Sequence, residues 1–139
     1  MVEKRYVDVN VFIYWLAGHP EYGERAREWV RRVEHGGRGE YVTSTLTLYE
    51  AAVILAGLSG RSLKDREFLE SIINPITSLP GLEIATLREK DLTQALELME
   101  TYSLDYEDAL HLAVALREKA TTIVSNDEDF DKTPLKRTF

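Results

Sequence analysis

The sequence contains no cysteine among its 139 residues. This absence excludes disulfide bonds, thiolate metal sites and a cysteine nucleophile, and it suits a reducing cytoplasm. Only three histidines are present. Any metal site must therefore depend mainly on oxygen ligands, with histidine as the remaining option.

Basic residues are in the minority, since 17 lysines and arginines face 24 aspartates and glutamates, for a net charge of -7. This balance argues against a generally basic nucleic-acid surface, because affinity for phosphates depends on lysine and arginine. Two local basic groups are nevertheless present: Arg25, Arg27, Arg31, Arg32 and Arg38, and Lys132, Lys136 and Arg137. Glutamates interrupt the first group, which favours a solvated helix face of mixed charge.

Long apolar runs are also missing, and nothing approaches the roughly 20 apolar residues that span a membrane. The apolar stretch at residues 5–18 is interrupted by Asp8 and Asn10 and has no convincing signal-peptide cleavage pattern. We therefore expect a soluble, cytoplasmic protein with no membrane association. The length and the absence of a linker or repeat predict one domain over residues 1–139.

Strand and helix patterns alternate along the chain. Aromatic and β-branched runs predict strands at residues 5–9, 40–44, 82–86 and 121–125. Apolar spacing, Asn74-Pro75 and a Thr86–Glu89 capping box predict helices at residues 12–18, 21–35, 45–60, 62–73, 86–102 and 103–120. This alternation predicts an α/β fold, a three-layer sandwich with a central, mainly parallel sheet flanked by helices.

Sites in such folds form beyond the carboxyl ends of the strands. Asp8 follows the first strand, and Glu50 lies on the helix after the second strand as the one charged residue in positions 41–60. A carboxylate among apolar helix neighbours without a local cation is abnormal as pure structure. The alternative is a glutamate at the helix edge that reaches water.

Two further acids, Asp108 and Asp127, each have an ordinary explanation. Asp108 lies in the first turn of its helix, where it complements the helix dipole and has capping-pair spacing with Asp105. Asp127 belongs to an acidic loop at residues 126–134, and such loops are mostly solvated. Together with Asp8 and Glu50, however, these acids project to the same end of one sheet, and as a set they indicate a site.

Carboxylates that lie this near to one another raise one another's pKa unless a cation neutralises them. Oxygen ligands without a thiol favour Mg²⁺ or Mn²⁺ over zinc. Such an ion polarises a phosphate oxygen, lowers the pKa of an attacking water and neutralises the leaving oxygen, which suits phosphoryl chemistry. Asn10 and either Ser44 or Thr45 are candidates to supply neutral oxygens or to orient a water.

Four segments resemble the motif blocks of PIN-domain ribonucleases, and most closely the small VapC-type toxins. These segments are VDVNVFIYWL with Asp8, LTLYEAAVIL with Glu50, DYEDALHLAVAL with Asp108 and TTIVSNDEDFD with Asp127. The resemblance spans residues 6–131 and implies a metal-dependent endoribonuclease in which these four acids form the catalytic set that holds one or two Mg²⁺ or Mn²⁺ ions. It also implies an RNA substrate, a homodimer and, in the toxin branch, a small antitoxin protein.

The sequence departs from the family pattern at two points. Val9 stands where the family often has threonine between the aspartate and asparagine, so a hydroxyl is missing there. The acidic loop is unusually dense, which makes Asp129 a candidate to replace or accompany Asp127. In our working mechanism, Asp8 and Asp108 hold the principal metal, while Glu50 and Asp127 complete or extend the site.

A histidine and two tyrosines lie close to these acids in the sequence. His111 is interpreted as a packing residue, and the rings of Tyr49 and Tyr106 are candidates to reach RNA bases. A phosphorylation receiver domain would need an aspartate after a central strand and a lysine after the last one, and neither is found. A PIN-like RNA-processing or RNA-binding module with weak or no cleavage remains the alternative to the toxin ribonuclease.

Overall fold

The computed structural model describes residues 3–139 and contains a five-stranded parallel sheet in the order β3-β2-β1-β4-β5. The strands are β1 Arg5–Val7, β2 Tyr41–Ser44, β3 Leu82–Ala85, β4 Thr122–Val124 and β5 Lys136–Thr138. β1 lies at the centre of the sheet. The chain proceeds from β1 outward to β2 and β3, and later to β4 and β5 on the other side, so the order reverses between β1 and β4.

Helices cover both faces of this sheet. They are α1 Val9–Ala17, α2 Gly23–His35, α3 Thr45–Ser59, α4 Arg66–Thr77, α5 Glu89–Tyr102 and α6 Tyr106–Arg117, and a short 3₁₀ helix follows at Glu128–Lys132. Side chains along β1 alternate between the two faces of the sheet. Tyr6 packs with α5 and α6, while the next residue, Val7, packs with α1 to α4. The predicted three-layer α/β sandwich is therefore confirmed.

Several helix boundaries differ from the sequence predictions. α1 begins at Val9, three residues early, because the Asp8 carboxylate already accepts the Val9 N–H. α5 begins at Glu89 rather than at Thr86, because the capping box forms between Arg88 and Asp91, which accepts the Arg88 N–H, and not between Thr86 and Glu89 as predicted. α4 begins at Arg66 and continues through Pro75, which is tolerated near the helix end because few hydrogen bonds are lost there.

The fifth strand was not predicted, because it has only three residues and two of them are charged. It forms by pairing with β4, and the buried side chains of Phe130 and Leu135 anchor the preceding segment in the core. The predicted acidic loop is consequently an ordered 3₁₀ turn that leads into a strand. Within residues 3–139, no helix combines the length and apolar character that crossing a bilayer requires.

A small stabilising change is available where α6 ends. Lys119 is exposed and has a left-handed backbone with φ of 63°, a conformation that costs energy in any residue with a Cβ. We expect Lys119→Gly to raise the free energy of unfolding by about 0.5 to 1 kcal/mol, the strain relief being partly offset by a more flexible unfolded chain. Urea unfolding of both proteins measures this difference, and a destabilised variant would contradict the prediction.

Candidate metal centre

Asp8 lies where β1 ends and α1 begins, and its side chain is 4% exposed. One carboxylate oxygen, Oδ1, accepts the Val9 N–H at 2.8 Å, and Oδ2 accepts the Ser125 hydroxyl at 2.6 Å. Burial raises the pKa of Asp8, and the charge of Glu50 adds to this rise, whereas His111, Ser125 and the Val9 N–H oppose it. The fold thus keeps an acid in an environment that disfavours its charge.

Ser125 connects three residues of the site, although in the sequence it is only the last residue of a predicted strand. Its hydroxyl donates to Asp8 and accepts both the Asn10 side-chain N–H at 3.2 Å and the Asp127 backbone N–H at 3.0 Å. A hydroxyl has one proton and two lone pairs, so all of its hydrogen-bonding capacity is used. Ser125 therefore joins the carboxyl ends of β1 and β4 at the point where the strand order reverses.

Asn10 presents a polar atom that needs a partner. Its Oδ1 is buried and accepts no hydrogen bond from any group in residues 3–139. A buried oxygen left unpaired costs about 1 to 3 kcal/mol. A cation, or a water held by one, would satisfy this oxygen.

Three acids lie close enough to share one ion. Single carboxylate oxygens of Asp108, Asp127 and Asp129 lie within 4.8 Å of one another. Asp108 is in the first turn of α6, where its backbone N–H donates to Asp105, and Asp127 caps the 3₁₀ helix by accepting the Asp129 N–H at 2.9 Å. The sequence-derived candidate Asp129 thus lies next to Asp127 rather than in its place.

The electrostatic consequence is largest at Asp108. Burial, followed by the negative charges of Asp127, Asp105 and Asp8, raises the pKa of Asp108 to about 7. This rise shows that Asp8 also lies within electrostatic reach of the three-acid cluster, although that cluster does not include it. The repulsion would be relieved by a bound cation.

Glu50 is buried, with 8% of its surface exposed, and its partner is a histidine. Its Oε1 lies 2.5 Å from His111 Nε2, and the hydrogen bond and charge of His111 outweigh burial to lower the pKa of Glu50. Burial alone would lower the pKa of His111, but Tyr6, Glu50 and Asp8 together raise it well above its usual value. The neighbouring sequence of Glu50 contains no cation, and its partner is instead His111, 61 residues further along the chain.

Glu107 is a further acid at this edge that the sequence analysis did not select. A hydrogen bond with Glu50 raises the pKa of Glu107, and burial and the Glu50 charge raise it further.

The hydroxyls of Ser44 and Thr45, which the sequence offered as neutral oxygens for the site, have structural partners instead. Ser44 accepts the Tyr6 hydroxyl, and Thr45 accepts the Leu87 N–H.

Taken together, the donors fit a hard divalent cation. The structure places Asp108 and Asp127 within reach of one ion, Asp8 beside them through Ser125, and Glu50 at the same edge but paired with His111. The ligand atoms are oxygens, one neighbouring oxygen lacks a partner, and the acids repel one another. These properties match Mg²⁺ or Mn²⁺.

Basic and aromatic groups surround the acids. Lys132 lies 3.5 Å from Asp129, and Arg137 pairs with Asp131 at 2.9 Å, so the C-terminal basic group is largely neutralised by the acidic turn. Tyr49 is next to Glu50 in sequence and is 68% exposed, while Tyr106 is 38% exposed and donates to the Leu92 carbonyl. Tyr49 is thus the freer of the two rings to contact a ligand.

Comparison with known proteins places this arrangement in context. A family model described as PIN domain matches residues 5–136, whereas no curated protein matches the sequence. The VapC20 toxin of Mycobacterium tuberculosis, described as cleaving the sarcin-ricin loop, is 14% identical, with a TM-score of 0.70 over 92% of this chain and 93% of that chain.

Two assemblies have similar folds. VapBC2 of Rickettsia felis, solved with a DNA fragment from its promoter, is 23% identical, with a TM-score of 0.67 over 99% of this chain and 98% of that chain. A toxin–antitoxin complex from Klebsiella pneumoniae is 19% identical, with a TM-score of 0.61 over 96% and 99% of the two chains. At these identities, the likeness establishes the fold.

Proposed function

We propose, because this chain belongs to the PIN domain family, that it is a Mg²⁺- or Mn²⁺-dependent endoribonuclease that hydrolyses RNA phosphodiester bonds. We assign it as the toxin of a toxin–antitoxin pair that acts in the cytoplasm. Residues 1–139 form its single nuclease domain. The observation that carries this proposal is the acidic edge at the sheet's reversal point, where Asp108, Asp127 and Asp129 converge beside Asp8.

The site residues have distinct parts in this proposal. Asp8 and Asp108 would hold the principal ion, and Asp127 and Glu50 would complete the set, with Asp129 beside them. When bound, the ion polarises the phosphate and lowers the pKa of the attacking water. Ser125 fixes the Asp8 carboxylate by donating its only proton to Oδ2. Burial excludes bulk water from Asp8, so its interactions with charge are stronger there.

Substrate binding has to overcome the negative charge of the protein. The exposed ring of Tyr49, beside Glu50, offers a surface on which an RNA base stacks. The exposed arginines of α2 are candidates for further phosphate contacts. These features support an RNA substrate that binds partly through the ion and partly through local groups.

Protein partners complete the proposal. Structural neighbours include toxin–antitoxin assemblies, which supports a small antitoxin as the partner. Helix α3 also exposes large apolar side chains, among them Leu58 at 71%, Val53 at 37% and Ile54 at 36%. Exposed apolar surface of this kind marks protein–protein contacts and supports a homodimer.

Metal removal tests the reaction directly. We expect purified protein to cleave total RNA with Mg²⁺ or Mn²⁺, to lose cleavage with excess EDTA, and to regain it when Mn²⁺ is restored, because the acids cannot act without the cation. Gel analysis of RNA fragments measures this, with Asp108→Asn as the inactive control. Cleavage that persists in EDTA or in the variant would contradict the proposal, and RNA binding without cleavage would favour the binding module.

A further inference from the structure

A buried chain of hydrogen bonds leads from Glu50 to three residues to which the proposed reaction assigns no part. Glu50 Oε1 lies 2.5 Å from His111 Nε2, and His111 Nδ1 lies 2.7 Å from the Tyr6 hydroxyl. That hydroxyl donates to Ser44 Oγ at 2.9 Å. The four residues come from α3, α6, β1 and the end of β2, so the chain connects both neighbouring central strands with two helices.

The direction of each bond follows from the hydrogen-bonding capacity of each group. Tyr6 has one proton and gives it to Ser44, so it accepts from His111, and Nδ1 carries a hydrogen. An ionised Glu50 can only accept, so Nε2 carries a hydrogen as well. Both ring nitrogens of His111 are therefore donors, and each is bonded to an acceptor.

Burial makes this arrangement rigid. Tyr6 is 0% exposed and His111 is 1% exposed, and close-packed interiors leave such side chains few alternative rotamers. Glu50 has three rotatable side-chain bonds and lies on an apolar helix, so without an anchor nothing local would set its direction. In addition, His111 lies one turn after Asp108 on α6. The same helix therefore carries Asp108, an acid of the site, and His111, which anchors the acid Glu50.

We propose that His111, held in turn by the Tyr6 hydroxyl, is a positioning residue that keeps the Glu50 carboxylate directed at the acidic edge where Asp8 and Asp108 lie. This inference rests on the proposed function and deepens it, because it assigns a task at the same site to the core residue Tyr6 and to His111, which the sequence predicted to be a packing residue. Tyr6 and His111 are buried, and their hydrogen bonds connect them in series to Glu50. They act through Glu50.

Tyr6→Phe tests the inference, because it removes the hydroxyl and keeps the ring. Loss of a partner behind a metal-site residue typically lowers metal affinity or activity about 10- to 100-fold. We expect a loss of this size in Mn²⁺ affinity by calorimetry, in kcat for RNA, or in both, with KM for RNA unchanged. Tyr41→Phe is the matched control, since Tyr41 is 3% exposed on the neighbouring strand β2 but packs under Arg5; it should behave as wild type.

The Glu50→Gln background separates positioning from packing. If Tyr6 acts through the Glu50 carboxylate, Tyr6→Phe should cause no further loss once that carboxylate is gone. Equal losses in both backgrounds, or unchanged Mn²⁺ affinity and kcat in Tyr6→Phe, would overturn the inference. If Tyr6→Phe does not fold, His111→Gln alone and combined with Glu50→Gln gives the same comparison.

The two proposals fail differently. Wild-type protein that binds Mn²⁺ but cleaves no RNA would contradict the nuclease, and the Mn²⁺ affinities of Tyr6→Phe, Glu50→Gln and their double variant would then decide the positioning role alone. Wild-type protein that binds no Mn²⁺ would overturn the positioning role as well.

Discussion

Replacing Asp8 with asparagine is expected to lower metal-dependent RNA cleavage by about a thousandfold, the upper range for removing one electrostatic contact from an active site. The variant keeps the Oδ1 cap on α1 but loses the negative charge. Its new amide would also face Ser125 Oγ, which already accepts two N–H groups and has no lone pair free. The carboxylate and its fixed orientation are therefore lost together.

The fold of Asp8→Asn should survive. Burial raises the pKa of Asp8, so its ionised form destabilises the metal-free protein, and removing the charge offsets the lost Ser125 hydrogen bond. We expect the thermal midpoint in EDTA to be unchanged or higher. Single-turnover cleavage and thermal unfolding on the same samples measure both effects.

The control for Asp8→Asn is Asp65→Asn. Asp65 also caps a helix through its carboxylate, at α4, but its partners are Phe68 and Arg61 rather than the acidic edge. It should cleave RNA at the wild-type rate. An Asp8→Asn protein that is folded and fully active would remove Asp8 from the site, whereas loss of activity in both variants would indicate a general effect of the substitution.

The sheet and its helices could be predicted because each depends on local patterns. Four of the five strands and all six helices follow from apolar periodicity, and the Asp105–Asp108 capping pair is present as predicted. β5 could not be predicted, since three residues with two charges form a strand only because β4 provides a pairing edge. The start of α5 differs because Asp91 caps Arg88, and α6 covers Tyr106–Arg117 rather than residues 103–120 because Asp105 is its N-cap.

The candidate site could be located from sequence, but its contacts could not. Strand ends identified the edge where Asp8, Asp108 and Asp127 gather. The pairing of Glu50 with His111 depends on two helices meeting across the domain, and no spacing rule reveals it. Ser125 was missed for the same reason, because a serine that ends a strand is unremarkable until its three partners are known.

Asp108 should make the metal-free protein less stable as the pH rises. Its pKa is about 7 in the folded protein and 3.8 in an unperturbed side chain. Between these values the folded state binds a proton that the unfolded state lacks, so the free energy of unfolding falls as pH increases. The decrease in the free energy of unfolding is complete above pH 7. We expect it to be about 2 kcal/mol after allowance for the partly exposed position of the Asp108 side chain.

The comparison with Asp108→Asn isolates this effect from groups that titrate in the opposite direction. The lowered pKa values of Asp91 and Glu50 stabilise the protein above pH 4 in both proteins, so they cancel in the difference. In EDTA, urea unfolding should show that the free energy of unfolding of Asp108→Asn increases relative to that of wild type from pH 4 to pH 7. A difference that does not change with pH would show that Asp108 keeps an ordinary pKa.

At pH 7.5, Mn²⁺ should make the wild-type protein more stable than Asp108→Asn, the reverse of the order in EDTA. The ion binds the ionised carboxylate, so it stabilises wild type by an amount that grows with the ratio of free Mn²⁺ to its dissociation constant, about 2.7 kcal/mol at a hundredfold excess. Asp108→Asn lacks the charge and should gain much less. If Mn²⁺ stabilised both proteins equally, the ion would bind elsewhere, since only a ligand at the acidic edge relieves the repulsion that raises the pKa of Asp108.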